Sequence, residues 1–197
     1  MSTIKSEQTR DRVLDAANAL MLDRGYHGVG MAAVASAAGV TRQTLYDQFG
    51  SKAGLLRAMV TRSEEVAGLP RLLERARTET DGLAMLRAML DAVAAVEPQL
   101  YPISRLVHAA RLEDPVAAEL WAWRMGSRLA GMRGVMARLA ADGLLAPGVS
   151  VGEAADVAWA LTSPQQYEFL VITQGWDVQL YRAHLERTIT ARLLRVA

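Results

Sequence analysis

The sequence predicts an all-α protein, and three observations carry that prediction. Nearly every long segment repeats its apolar residues at helical spacing, and none sustains the strict alternation of a strand. The 197-residue chain is rich in alanine, leucine, methionine and arginine, with only 6 % aromatic residues. Those four side chains lose little freedom in a helix. Ser, Asp, Gly and Pro fall where the apolar pattern stops and restarts, as helix caps do.

The elements follow in order. Val13, Leu14, Ala17, Leu20 and Met21 share one face of a first helix. Ser6 is placed to cap it, Glu7, Asp11 and Asp15 lie toward its positive end, and Gly25 closes it. A short second helix fits Met31 to Ala38 and stops at Gly39; a third fits Thr41 to Phe49 and stops at Gly50. Ser51 caps a fourth, whose inner face is Leu55, Leu56, Met59 and Val60. Leu83, Leu86, Leu90 and Val93 mark a longer helix that Pro98 and Pro102 are expected to break, with a further helix running to about Arg111. Asp114 before Pro115 forms an N-cap with proline at the first helical position, and the helix can reach Ala141 before Gly143. Ser150 and Glu153 form a capping box. Pro164 is expected to break the segment that this box opens, with Ser163 and Pro164 starting another. Val178, Tyr181, Leu185, Ile189 and Leu193 mark a last amphipathic helix. About nine helices result, without internal repeats or low-complexity tracts.

Composition narrows the function classes. The chain has no cysteine, which excludes disulfides, thiolate catalysis and Cys-type zinc sites. No apolar run reaches the roughly 18 residues of a membrane span, and the N-terminus has no signal-like apolar core, so the expected location is the cytoplasm, with no membrane partner. His27, His108 and His184 show no metal-ligand spacing. The glycines of GYHGVG, residues 25–30, are in the wrong order for a dinucleotide loop and follow a helix rather than a strand. Glu64-Glu65 and Glu113-Asp114 read as solvated face and cap. No enzyme activity, metal or cofactor is expected. Residues 1–62 hold eight Lys and Arg against five Asp and Glu, while the rest holds fourteen against sixteen, so any polyanion should meet the front of the chain.

The segment around residues 30–49 has the parts of a helix-turn-helix: two short helices joined by Ala38, Gly39 and Val40. At 100° per residue, Leu45 and Phe49 anchor the second helix, while Gln43, Thr44, Tyr46 and Asp47 point away. Thr41 and Arg42 sit at the end that would enter a major groove first. Arg42 can bond a guanine bidentately and Gln43 an adenine. Thr44 and Tyr46 can reach phosphates, as can Lys52 in the first turn of the next helix. Asp47 is the dissenting charge, either accepting from a cytosine or pointing to solvent.

Residues 6–66 resemble the DNA-binding domain of the TetR/AcrR family of transcriptional regulators. The resemblance rests on RVLDAANALMLDRGYHGV and on AAVASAAGVTRQTLYDQFGSKAGLL. It implies a homodimer on a palindromic double-stranded DNA operator, usually a repressor released by a small ligand. It carries DNA contacts over to Thr41, Arg42, Gln43, Thr44, Tyr46, Gln48 and Lys52. Gly30, where members often have Ser or Thr on a phosphate, can offer only its backbone, and Ala32 at most an apolar contact. Residues 67–197 would form a helical ligand-sensing and dimerisation domain. There Met85, Met89, Tyr101, His108, Trp121, Met125 and Tyr167 are candidates for an adaptable pocket that takes an unidentified small, largely apolar effector. The segment WALTSPQQYEFLVITQGWDVQLYRAHLERTITARLL resembles the C-terminal pair that forms the family's dimer interface as a four-helix bundle, which places Trp159, Phe169, Tyr181, Leu185, Ile189 and Leu193 at an interface. The competing reading is a non-catalytic helical protein-interaction module. Arg42, Tyr46 and Lys52 together on one exposed surface favour DNA.

Overall fold

The computed structural model describes the backbone of residues 2–195 and the side chains of residues 7–195. Ten α-helices make up the described chain: α1 (Ser2–Arg24), α2 (Met31–Ala38), α3 (Arg42–Phe49), α4 (Lys52–Val66), α5 (Leu69–Thr78), α6 (Gly82–Ala110), α7 (Pro115–Ala141), α8 (Val151–Leu161), α9 (Pro164–Tyr167) and α10 (Val178–Leu193). A π-helical segment, Glu168–Thr173, continues α9. No strand occurs among the described residues, only an isolated bridge between Leu145 and Leu194.

Most helix ends fall where the caps lie. Thr41 accepts from the Thr44 amide at 3.0 Å, Ser51 from Gly54 at 3.0 Å, Ser150 from Glu153 at 3.1 Å and Ser163 from Gln166 at 3.2 Å. Pro164 therefore starts α9 rather than kinking α8. Two expectations are corrected, and one helix is added. The first helix begins at Ser2, so Ser6 lies inside it, with its side chain outside the described residues. Helix α5 carries no expectation from the sequence; Pro70 stands in its first turn. Pro98 and Pro102 do not break α6, which runs unbroken for 29 residues. Each proline forfeits one backbone bond, at about 3 kcal/mol, but Leu90, Val93, Val96, Leu100, Ile103 and Val107 continue a buried stripe past both. Burying a side chain of that kind contributes about 1.5–3 kcal/mol, so the stripe outweighs the two lost bonds.

The chain divides into two compact units: Met1–Ser63 with Pro102–Trp123, and Glu64–Tyr101 with Arg124–Ala197. The first does not end at residue 66; it also recruits the end of α6 and the start of α7. A domain of about 60 residues buries too little of its own surface to be more than marginal. Ile103, Leu106, Val107, Ala110, Ala117 and Leu120 enlarge a core built from Val13, Leu14, Ala17, Met21, Val34, Leu45, Phe49, Leu55 and Leu56.

The second unit packs Leu86, Leu90 and Val93 of α6 and Met132, Val135, Met136 and Leu139 of α7 against α8 and α10. Tyr181, Leu185, Ile189 and Leu193 are fully buried in this core, at 0 % exposure. They cannot also be the surface that meets a partner, so the expected interface stripe is corrected to core. A helix buried inside its own unit shows the same 3.6-residue period as one buried by a partner. Glu64 is likewise not a solvated residue: its carboxylate pairs with buried Arg124 at 3.2 Å.

Candidate nucleic-acid interface

The reading surface is built on α2 and α3. Gly39 ends α2 in the left-handed region, at φ 66°, where a side chain would be strained. Its N–H and that of Val40 reach the Ser36 and Ala35 carbonyls at 3.2 and 3.0 Å, which satisfies the end of the helix within a three-residue turn. Thr41 then caps α3, and its hydroxyl lies 2.8 Å from that of Thr44. Leu45 is 0 % exposed and Phe49 8 %, so α3 is pinned along one face. At the following turn a Cβ on Gly54 would collide with the Phe49 carbonyl; only glycine lets α4 start so close to the end of α3.

On the opposite face, Thr41, Arg42, Gln43 and Tyr46 are exposed and Thr44 half-buried. Among the described residues, the Arg42 and Tyr46 side chains make no hydrogen bond or ion pair, so both donors are available. Asp47 receives its explanation here: Gln43 Nε2 donates to Asp47 Oδ1 at 2.6 Å. The bond fixes one N–H of the exposed Gln43 amide on Asp47, leaving its carbonyl oxygen and second N–H for another partner. Gln48 departs from the set. Its carbonyl oxygen is buried without a hydrogen-bond partner among the described residues, so it is not presented on the open face. Gly30 caps α2 with no side-chain bond, and a Cβ there would meet no atom within 4 Å. Arg10, which the sequence did not single out, stacks its guanidinium 4.9 Å above the Phe49 ring. No periodic or motif signal ties residue 10 to residue 49.

Lys52, at the first position of α4, is half-buried. Its ammonium sits 4.2 Å from the centroid of the Tyr26 ring. The Tyr26 hydroxyl donates to Asp114 Oδ2 at 2.6 Å. Burial draws the Lys52 pKa below its ordinary value, and the Asp114 charge opposes that shift. Burial, then the bond to Asp114, pushes the Tyr26 phenol well above its ordinary value.

The seven residues expected to line an effector pocket do not form one group. Tyr101 and Tyr167 meet in the second unit, with ring centroids 5.6 Å apart, and Tyr167 meets Tyr181 at 5.5 Å. Met89 is buried in the same core and Met85 packs against it. Met125 accepts the Trp159 indole N–H on its carbonyl at 3.1 Å. His108 and Trp121 belong instead to the first unit, where their rings stack edge-on at 4.8 Å. Close to the tyrosines, in the second unit, Glu97 is buried at 1 % exposure and lies 2.9 Å from Arg128, which also donates to the Thr162 carbonyl. The sequence offered no signal for this buried pair. Of the expected interface residues, Phe169 is exposed at 62 % and is accompanied by Ile172 at 52 % and Leu180 at 41 %.

Residues 13–59 match the family model for bacterial regulatory proteins of the tetR family. Over 88 residues the chain is 39 % identical to the HTH-type transcriptional activator FasR of Mycolicibacterium smegmatis, covering 44 % of this chain and 39 % of that protein. Over 143 residues it is 32 % identical to the uncharacterized HTH-type transcriptional regulator Rv1255c of Mycobacterium tuberculosis, covering 72 % of this chain and 64 % of that protein. The chain thus spans less than two thirds of the length of these curated relatives. NalD, the secondary repressor of the MexAB-OprM multidrug efflux pump in Pseudomonas aeruginosa, has the same fold: TM-score 0.75 at 23 % identity, over 98 % of this chain and 99 % of that one.

Proposed function

We infer, from a chain whose N-terminal domain belongs to the tetR family of bacterial regulatory proteins, that it is a transcriptional regulator that binds duplex DNA through α3 and the start of α4. The observation that carries this reading is the free face of α3. Arg42 and Tyr46 stand exposed and unengaged on a helix locked from behind by Leu45 and Phe49. Arg42 reads a base and Gln43, oriented by Asp47, a second; Thr41, Thr44, Tyr46 and Lys52 hold phosphates.

The regulator acts as a homodimer on a palindromic operator, because one eight-residue helix gives too few contacts for specificity and a two-fold axis doubles them. The exposed Phe169, Ile172 and Leu180 support a dimer face on the second unit. Repression is relieved by a small, largely apolar effector. It is oriented in the second unit near Tyr101 and Tyr167, where Glu97 and Arg128 supply polar contacts. Its effect on DNA equals its differential affinity for the two states of the protein.

Titration of duplex DNA at several salt concentrations tests the reading. Arg42→Ala is expected to relax preference at one operator position; an equal loss on every sequence contradicts base reading. Lys52→Ala is expected to weaken all duplexes alike and to lower the salt slope by about one. An unchanged slope removes Lys52 from the phosphate contacts.

A further inference from the structure

Two residues outside the helix-turn-helix hold Lys52, and we propose that Tyr26 and Asp114 are positioning residues that set its ammonium for a backbone phosphate. The assignment rests on the DNA-binding reading proposed above and adds to it a pair of residues 88 positions apart.

The fixation runs in three steps. Asp114 is anchored first. Its Oδ1 accepts from the Val116 amide at 2.9 Å and the Ala117 amide at 3.2 Å, capping α7. Its second oxygen is then a fixed acceptor, and the Tyr26 hydroxyl donates to it at 2.6 Å. That bond sets the plane of a ring that is only 4 % exposed and braced edge-on by His27 at 5.2 Å. The ring face in turn receives the Lys52 ammonium at 4.2 Å.

Each step adds to what a phosphate would meet. A free lysine loses up to about 2 kcal/mol of rotamer entropy when it is fixed on a ligand; a lysine already resting on a ring has lost part of it before DNA arrives. Donation to a carboxylate leaves the phenol richer in electron density, which strengthens the attraction of its face for a cation. One side of the ammonium is occupied by the ring, and Lys52 is only half-buried. The lowered pKa of the Asp114 carboxyl, caused first by the Tyr26 hydrogen bond, agrees with a carboxylate that stays charged in this arrangement.

A double-mutant cycle separates positioning from a plain structural stitch. The probe is a mixed-sequence DNA duplex, because a phosphate contact is indifferent to sequence. Tyr26→Leu removes the ring, and binding is expected to weaken about three- to tenfold with Lys52 present and less than twofold in Lys52→Ala. Tyr26→Phe keeps the buried ring, and the fold with it, but removes the anchor; a smaller loss of about twofold is expected, again only with Lys52 present. Equal losses in both backgrounds, or none in either, overturn the assignment. Failure of the unmutated protein to bind the duplex overturns the DNA reading itself, a different result from absent coupling.

Discussion

At the scale of single residues, Asp47 is the informative case. A negative charge in a groove-facing helix looks unfavourable by itself, and its meaning lies in the residue four positions earlier. Gln43 and Asp47 are helical neighbours, a spacing at which Gln–Asp hydrogen bonds stabilise helices, and the 2.6 Å bond between them makes the aspartate an orienting group. Asp47→Ala is expected to raise affinity for all duplexes by removing a repulsive charge, while blurring preference at the base that Gln43 reads. Base preference that stays sharp in a substitution series would refute the orienting role. Gly30 offers a second test. With extended backbone, φ −93° and ψ 156°, and open space at its Cβ, Gly30→Ser should fit and supply the missing cap. The expected gain is a few tenths of a kcal/mol, about the difference between Gly and Ser at an N-cap, read as a small rise in melting temperature. The Gln43–Asp47 spacing was legible in the sequence; the Lys52–Tyr26–Asp114 chain was not, because no period links residues that far apart.

At the scale of elements, helix starts were legible because a cap is a local event: a side chain meets an amide two or three residues on. Ser51, Asp114, Ser150 and Ser163 all cap where the sequence placed them, while Thr41, expected as the first residue of its helix, is the cap before it. The continuity of α6 through Pro98 and Pro102 was not, because it depends on what the rest of the helix buries. Pro98 is exposed within the continuous α6, which predicts that Pro98→Ala stabilises the protein by about 1–3 kcal/mol. A loss of stability in denaturant unfolding would show that the proline shapes the helix to a purpose. Asp114 joins two elements, capping α7 and accepting from Tyr26. Its folded pKa is lowered, first by the Tyr26 hydroxyl. Its contribution is therefore fully present above the unfolded value of about 3.9 and lost as pH falls through the lower folded value. Asn can still cap α7, so Asp114→Asn should reduce stability at neutral pH and flatten the acid limb of the stability curve. Identical pH profiles for the two proteins would contradict this.

At the scale of the whole molecule, the sequence showed that the last helix has a buried face but not what buries it. Periodicity records only that one side of a helix avoids water. Here Tyr181, Leu185, Ile189 and Leu193 are consumed by their own unit, while Phe169, Ile172 and Leu180 are among its exposed apolar residues and form the proposed dimer face. Phe169→Glu is accordingly expected to convert dimer to monomer in sedimentation with little change in melting temperature, since the side chain is already 62 % exposed. A dimer that persists would place the interface elsewhere. The division into units also escaped a linear reading, because a short N-terminal bundle completes its core with residues 102–123, far along the chain. The central claim is that α3 reads DNA from a two-fold symmetric protein. Selection of bound duplexes from a random pool tests it most directly. An inverted repeat with half-sites about one helical turn apart is the predicted outcome. Enrichment of no motif, or of an asymmetric one, would contradict it.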